Sequence, residues 1–195
     1  KKNKYLSDKE LIVLNNKNKI IFTKNINTNY FLEDGLKVSV NLSKKNDIIS
    51  YVAKKNTPIL KFSNVKSHKI KDFWTPVKNN NKSIIIEKNK FYILKSKEKI
   101  RIPSNLAGEM IPYDTRIGDF RAHYAGFFDP GFGDPDGSYA VLEVKTNELP
   151  FILEDGQTIA RIKYEKLNKK TSVVYGSSIN SNYQNQKLAL SKHFK

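Results

Sequence analysis

Glu143 is the carboxylate of this sequence best placed to act as a base. It lies in the stretch 139–145, YAVLEVK, whose alternation reads as a β-strand. Period-two geometry puts Ala140, Leu142 and Val144 on one face, and Tyr139, Val141, Glu143 and Lys145 on the other. A carboxylate set among apolar neighbours is partly desolvated, which raises its pKa toward a value useful for general-base chemistry. A surface Glu paired with Lys145 gives the same pattern, so the spacing leaves both readings open. Just upstream, HYAGFFDPGFGDPDG (123–137) holds four Gly, two Pro, three Asp and three Phe. Asp129 before Pro130 favours turn initiation, and Gly131 and Gly133 permit positive φ or close approach of a backbone to a ligand. A tight turn with Phe127, Phe128 and Phe132 in the core is the plainer alternative.

Arginine is rare here, four residues against 31 Lys, and its planar donor fork suits phosphate or carboxylate as Lys does not. Arg116 and Arg121 come shortly before the Gly-rich turn, where ion pairs with Asp114 or Asp119 are the structural alternative. The terminal stretch SNYQNQKLALSKHFK carries Tyr183, Gln184 and Gln186, which can stack on and hydrogen-bond a planar ligand. Lys187 and Lys192 can neutralise phosphate. His68, His123 and His193 show no ligand spacing, and the chain has no Cys. Thiol nucleophiles, structural zinc and iron–sulfur clusters are therefore excluded. So is the H-x-E and P-C-x-x-C arrangement of the zinc deaminases.

The elements that must position these residues are short. KIIFT, LKVSVNL, SIIIEKNKFYILK, YAVLEVK and TIARIKYEKL all read as strands, which predicts an all-β class, a sandwich or distorted barrel. The pattern places 137–145 and 158–165 together in the main sheet. Helix is minor: SDKELIVLNN has Ser7 as N-cap with Glu10 three residues on, and IPSNLAGEM is read as one helical turn. LEDG occurs at 32–35 and again at 153–156, as two similar hairpin turns would produce.

The 195 residues suffice for one domain. The opening KKNKYLSDKE lacks the apolar run of a signal peptide, and a start at Lys is what a fragment would show. No apolar run is long enough to cross a membrane, and the lack of Cys fits a cytoplasmic protein. Net charge is +16: residues 1–100 carry 23 Lys and 8 acids, or +15, whereas 101–195 carry 12 Lys plus Arg and 11 acids, or +1. The Lys are scattered and accompanied by 21 Asn, so the charge reads as solvated surface with no nucleic-acid or membrane partner.

In order along the chain, HYAGFFDPGFG, AVLEVKTNELPFILEDGQTIARIKYEKL and YGSSINSNYQNQ resemble the dCTP deaminases of the dUTPase-like superfamily. The match extends toward the N-terminus through LEDGLKVSVNL, DFWTPV and FYILKSKEKIRIP, and looks like the second half of the long, duplicated bacterial form. The resemblance implies a distorted β-barrel of the dUTPase-like (β-clip) type. It divides the chain into an N-terminal segment, 1–30, and a β-domain, 31–195, whose tail from about residue 176 to 195 closes over the site. It implies zinc-independent hydrolysis of dCTP to dUTP and ammonia, Mg²⁺ carried by the triphosphate, and a homotrimer or a pseudo-trimer with a related half. Glu143 falls on the family's catalytic Glu and Arg116 on the Arg that orients it. Ala125, Asp129, Tyr175, Tyr183, Gln186 and Lys192 fall on the substrate side. Pro112 and Tyr113 stand where the family has a Ser pair, and Asn182 where it has Lys. Three readings follow: a deaminase half, a dUTP diphosphatase of the same fold, and an inert β-domain supporting a partner half.

Overall fold

The computed structural model describes the chain apart from residues 1–3, 24–27, 44–46, 79–80, 113–120, 124–125, 147–148, 170, 172–173 and 177–186, with backbone alone at 28–29, 112 and 121–123. The all-β class holds. Among the described residues, α-helix is confined to α1 (Asp8–Lys17) and the single turn α2 (Ile70–Phe73). No helix among them is long and apolar enough to cross a membrane. α1 begins as its sequence predicts: the Glu10 carboxylate accepts from Ser7 N at 2.8 Å, and Glu10 N donates back to Ser7 Oγ at 3.4 Å.

The central strand is β6 (Phe91–Ile100), ten residues long. It pairs with β1 (Ile21–Phe22), β3 (Ile48–Ala53) and β10 (Ser138–Lys145). β4 (Trp74–Lys78) and β8 (Arg121–His123) form the outer strands of this six-stranded sheet, whose path is β4-β3-β6-β10-β8. Pro76 sits in edge strand β4, where a missing donor is tolerated. A four-stranded sheet runs β2-β12-β7-β9, from β2 (Leu36–Ser39), β12 (Thr158–Lys166), β7 (Leu106–Pro112) and β9 (Phe127–Phe128). β5 (Ser83–Ile86) and β11 (Phe151–Glu154) make a separate ribbon. The sheets deliver their inward faces to one core: Leu94 and Ile100 from β6, Leu142 and Val144 from β10, Ile162 and Tyr164 from β12.

Two expectations are corrected. β10 and β12 are in different sheets, because alternation reveals which face of a strand is buried and not which neighbour it bonds. Both strands bury one face in the shared core while pairing with different partners. IPSNLAGEM is not helical. Leu106 N bonds back to Pro103 O at 3.0 Å, closing a turn, and β7 starts at Leu106 and pairs with β12 along its length. Gly108 within it is packed so closely that a Cβ would stand 2.8 Å from Ile102 Cδ1 and 3.1 Å from Ile162 Cγ2.

The register of β10 on β6 is interrupted once. Tyr139 faces Lys99 and Val141 faces Lys95, so residues 96–98 bulge against Ala140. Buried Ser96 satisfies the opened ladder: its Oγ accepts from Ala140 N at 2.8 Å and donates to Glu98 O at 2.7 Å. The bulge sends the Glu98 side chain to β2, where its carboxylate accepts from Ser39 N at 2.9 Å and from Ser39 Oγ. Glu98 is 2% exposed. Burial pushes its carboxyl above the usual range, against the opposing effect of the Ser39 hydrogen bonds.

A raised folded-state pKa means that the folded protein binds more protons than the unfolded one. Stability therefore declines as pH climbs from the ordinary Glu value of 4.5 through the raised one. Denaturant unfolding across that range should show this decline in the wild type and its loss in Glu98→Gln, which can still accept from Ser39 N. Glu98→Ala, which strands a buried N–H, should lose about 1–3 kcal/mol. Identical pH profiles for wild type and Glu98→Gln would refute the account.

Candidate active site

The Gly-rich turn is held by main chain on both sides. Gly131 N donates to Ile102 O at 2.9 Å, Ile102 N donates to Phe132 O at 2.8 Å, and Met110 N donates to Gly126 O at 2.8 Å. The predicted glycine conformations are present, with φ of +93° at Gly131 and +73° at Gly133. Each also allows a close approach. A Cβ on Gly133 would lie 2.2 Å from Ile100 O at the end of β6. One on Gly131 would lie 2.3 Å from Val174 Cγ1 and 2.9 Å from Tyr175 O. Tyr175 N donates to Pro130 O at 2.9 Å, and the Tyr175 ring lies 6.1 Å from that of Phe132, itself 4.9 Å from Phe128. The turn thus serves as a dock for Tyr175, 45 residues on. Of its three Phe, Phe132 is in the core, Phe128 is half-buried, and Phe127 is 64% exposed, contrary to the reading of all three as core. The physical reason is the two-residue strand β9, which must turn Phe127 and Phe128 to opposite faces.

β10 shows the predicted alternation, with Ala140, Leu142 and Val144 fully buried. Glu143 is half-buried on the other face, opposite Ile93 of β6 and His123 of β8. That face forms one wall of a cavity of about 470 Å³, within the range of small-molecule sites. Glu143, Asp129 and Tyr175 all line it. Of the other expected site residues, Lys192 is exposed and lies outside the lining. Arg116, Ala125, Tyr183 and Gln186 fall outside the described residues, as do Tyr113 and Asn182.

Sequence reasoning missed Trp74. Trp74 at the start of β4 lines the cavity together with Leu190, Ser191 and Phe194 from the end of the chain. Phe194 meets Trp74 edge-on at 6.0 Å and Phe73 at 5.4 Å. The terminus is fixed there by Lys66 N to Lys192 O at 2.9 Å, Ser67 N to His193 O at 3.1 Å and Lys195 N to His68 O at 3.0 Å. Trp74 is the single Trp of the chain and stands in DFWTPV, the signal that could have singled it out. Aromatic walls around one half-buried carboxylate, with a second carboxylate and a phenol nearby, can hold a flat heterocycle and move a proton at its edge.

The chain matches the family described as 2'-deoxycytidine 5'-triphosphate deaminase (DCD), C-terminal domain, over residues 7–194. It is similar to the crystal structure of 2'-deoxycytidine 5'-triphosphate deaminase from Agrobacterium tumefaciens. The identity is 37% and the TM-score 0.79, covering 89% of this chain and 51% of that one. No curated protein matches. The chain belongs to the 2'-deoxycytidine 5'-triphosphate deaminase family. The chain corresponds to its C-terminal domain and spans about half the length of the solved relative.

The two classes of glycine give a direct test of the dock. Gly131→Ala forces a Cβ against Val174 and Tyr175 at positive φ, and should lower stability by roughly 1–3 kcal/mol. Gly126→Ala, with no described residue within 4 Å of its Cβ, should leave the melting temperature nearly unchanged. Equal melting temperatures for the two variants would contradict this picture of the turn.

Proposed function

We propose that this chain contributes a site for hydrolytic deamination of dCTP to dUTP and ammonia, with Glu143 as the general base. The observation that carries the reading is the meeting of Glu143, Asp129 and Tyr175, drawn from three separate segments, around one aromatic-walled cavity. In this reading the cytosine ring lies between the strand face of β10 and the aromatic wall. Glu143 takes a proton from a water as its oxygen bonds to C4 and passes that proton to N3. The proton of the resulting C4 hydroxyl then moves to the amine, the C4–N bond breaks, ammonia leaves, and a C4 carbonyl remains beside N3–H. Arg116 would orient the carboxylate and water. Ala125 would face the base, and Tyr175, Tyr183 and Gln186 would hold the sugar and phosphates. Asp129 and Lys192 would complete the substrate side. The position of Leu190, Ser191 and Phe194 on the cavity wall supports a tail, from about residue 176, that covers the nucleotide.

Among the described residues no three potential metal ligands cluster. A Mg²⁺ arriving with the nucleotide would then be held by phosphate oxygens and water, which suits an ion that dehydrates reluctantly. Zinc has no role in this mechanism, and the enzyme is read as a cytoplasmic one of pyrimidine deoxynucleotide metabolism.

A second reading, an inert half supporting a partner half, is favoured by Pro112. This residue ends β7 opposite Ala160, where the family pattern has a Ser, and it offers neither a hydroxyl nor an N–H. Glu143→Gln, made in the complete protein, separates the two. If Glu143 is the base, ammonia release from dCTP falls by about 10²–10⁴ while nucleotide binding and folding persist. Near-normal turnover in that variant would assign the chemistry to the other half.

A further inference from the structure

His193 is a buried side chain, 6% exposed, that belongs neither to the apolar core nor to the cavity lining. It sits where two weakly packed stretches meet. Residues 54–69 join β3 to α2 with no strand or helix of their own, a connection longer than most in compact domains. Leu60 and His68 are half-buried there and the other residues are exposed. In the second stretch, 188–195, His193 is the single buried residue. Neither stretch has much packing to hold it except the other.

The imidazole is engaged on both edges. Its Nε2 lies 3.1 Å from Phe62 O, and a carbonyl oxygen only accepts, so Nε2 carries a hydrogen. Nδ1 lies 3.2 Å from Ser191 Oγ, which donates to it in the neutral ring. The otherwise exposed Phe62 ring meets the imidazole edge-on at 5.1 Å. The main-chain bonds between the two stretches fall at exposed residues such as Lys66 and Lys192, where water competes for them, whereas the imidazole is shielded. Ala189, Leu190 and Ser191 before His193 and Phe194 after it all line the cavity.

We propose that His193 is a positioning residue for this site. The fit of its ring between Phe62 O and Ser191 sets Leu190, Ser191 and Phe194 in the cavity wall, and through them the affinity of the cavity for a pyrimidine base. The imidazole lies outside the lining, so its effect falls on binding and not on proton transfer at Glu143. The effect on the base rests on the deaminase reading above; the effect on the wall does not.

Trp74, the single Trp of the 195 residues, borders Phe194 and reports on the wall without any nucleotide. His193→Leu keeps the bulk and removes both hydrogen bonds. It should raise acrylamide quenching of Trp74 fluorescence in this chain. In the complete protein it should raise KM for dCTP roughly tenfold while kcat stays within about twofold. His193→Gln, whose amide reaches the Nε2 position and donates to Phe62 O, should restore most of both. Ile59→Ala, in the same loop and 88% exposed, should change neither. If His193→Leu melts well below the wild type, Phe62→Ala takes its place: it removes an exposed side chain, uncovers the imidazole, and should raise quenching. Unchanged quenching in these variants would overturn the proposal. So would a fall in kcat at constant KM, or an equal effect from Ile59→Ala. A wild type inactive on dCTP would overturn the deaminase reading instead, and the quenching arm alone would decide on His193.

Discussion

The Ser96 hydroxyl, accepting from Ala140 N and donating to Glu98 O, fixes the bulge on which the geometry of β10 depends. In a strand, a slip of one residue turns every side chain to the opposite face. Without a fixed bulge, β10 could pair with β6 in neighbouring registers. A slip would carry Glu143 from the cavity into the core, where Leu142 and Val144 now lie. The same bulge aims Glu98 at Ser39, so one irregularity both sets the register inside the first sheet and ties it to the second. The buried carboxyl is costly in isolation. It is tolerated because it accepts two hydrogen bonds from Ser39, one of them from a donor on β2 that would otherwise be buried without a partner.

Much of the local structure was legible in the sequence, and for identifiable reasons. The Ser7–Glu10 box, the alternation through Tyr139–Lys145 and the positive φ at Gly131 and Gly133 depend on residues a few positions apart, so short-range pattern determines them. What escaped was long-range. Nothing in YAVLEVK or TIARIKYEKL distinguishes two strands of one sheet from two strands sharing a core. Nothing in DFWTPV shows that Trp74 will meet Phe194, the penultimate residue. IPSNLAGEM was misread because Ala, Leu, Glu and Met favour helix, and the pairing of β7 with β12 overrode that preference. The likeness to a deaminase family, by contrast, was carried by motifs in order along the chain, and the family match supports it.

The cavity divides into a fixed part and a contributed part. Strand register and the Gly-rich turn hold Glu143 and Asp129 by main-chain bonds within the sheets. Tyr175 and the terminal residues reach the cavity from outside those sheets, docked on the turn and on residues 66–68. This arrangement suits a site built on a rigid frame, since the frame fixes the two carboxylates and the added segments supply surface. It also shows why the turn is so rich in Gly. A side chain at residue 131 would occupy the space that the backbone of Tyr175 requires.

The charge of the cavity sharpens the question of what the family's other half contributes. Among its described lining residues are two carboxylates and no Lys or Arg. Of the lysines near β10, Lys95 and Lys99 lie over Tyr139, and Lys97 pairs with Asp155. An apolar, acidic lining is suited to a heterocycle and poorly suited to a triphosphate, whose charge requires cationic donors. Base recognition and phosphate recognition are thus physically separable in this fold. The lining offered by β10 and its aromatic surroundings suits the first. The second needs positive charge brought to the cavity mouth, which a neighbouring half could supply. A domain can then lose the hydroxyls replaced at Pro112 and Tyr113 and still keep the strand, the turn and the aromatic wall, because none of those three depends on phosphate.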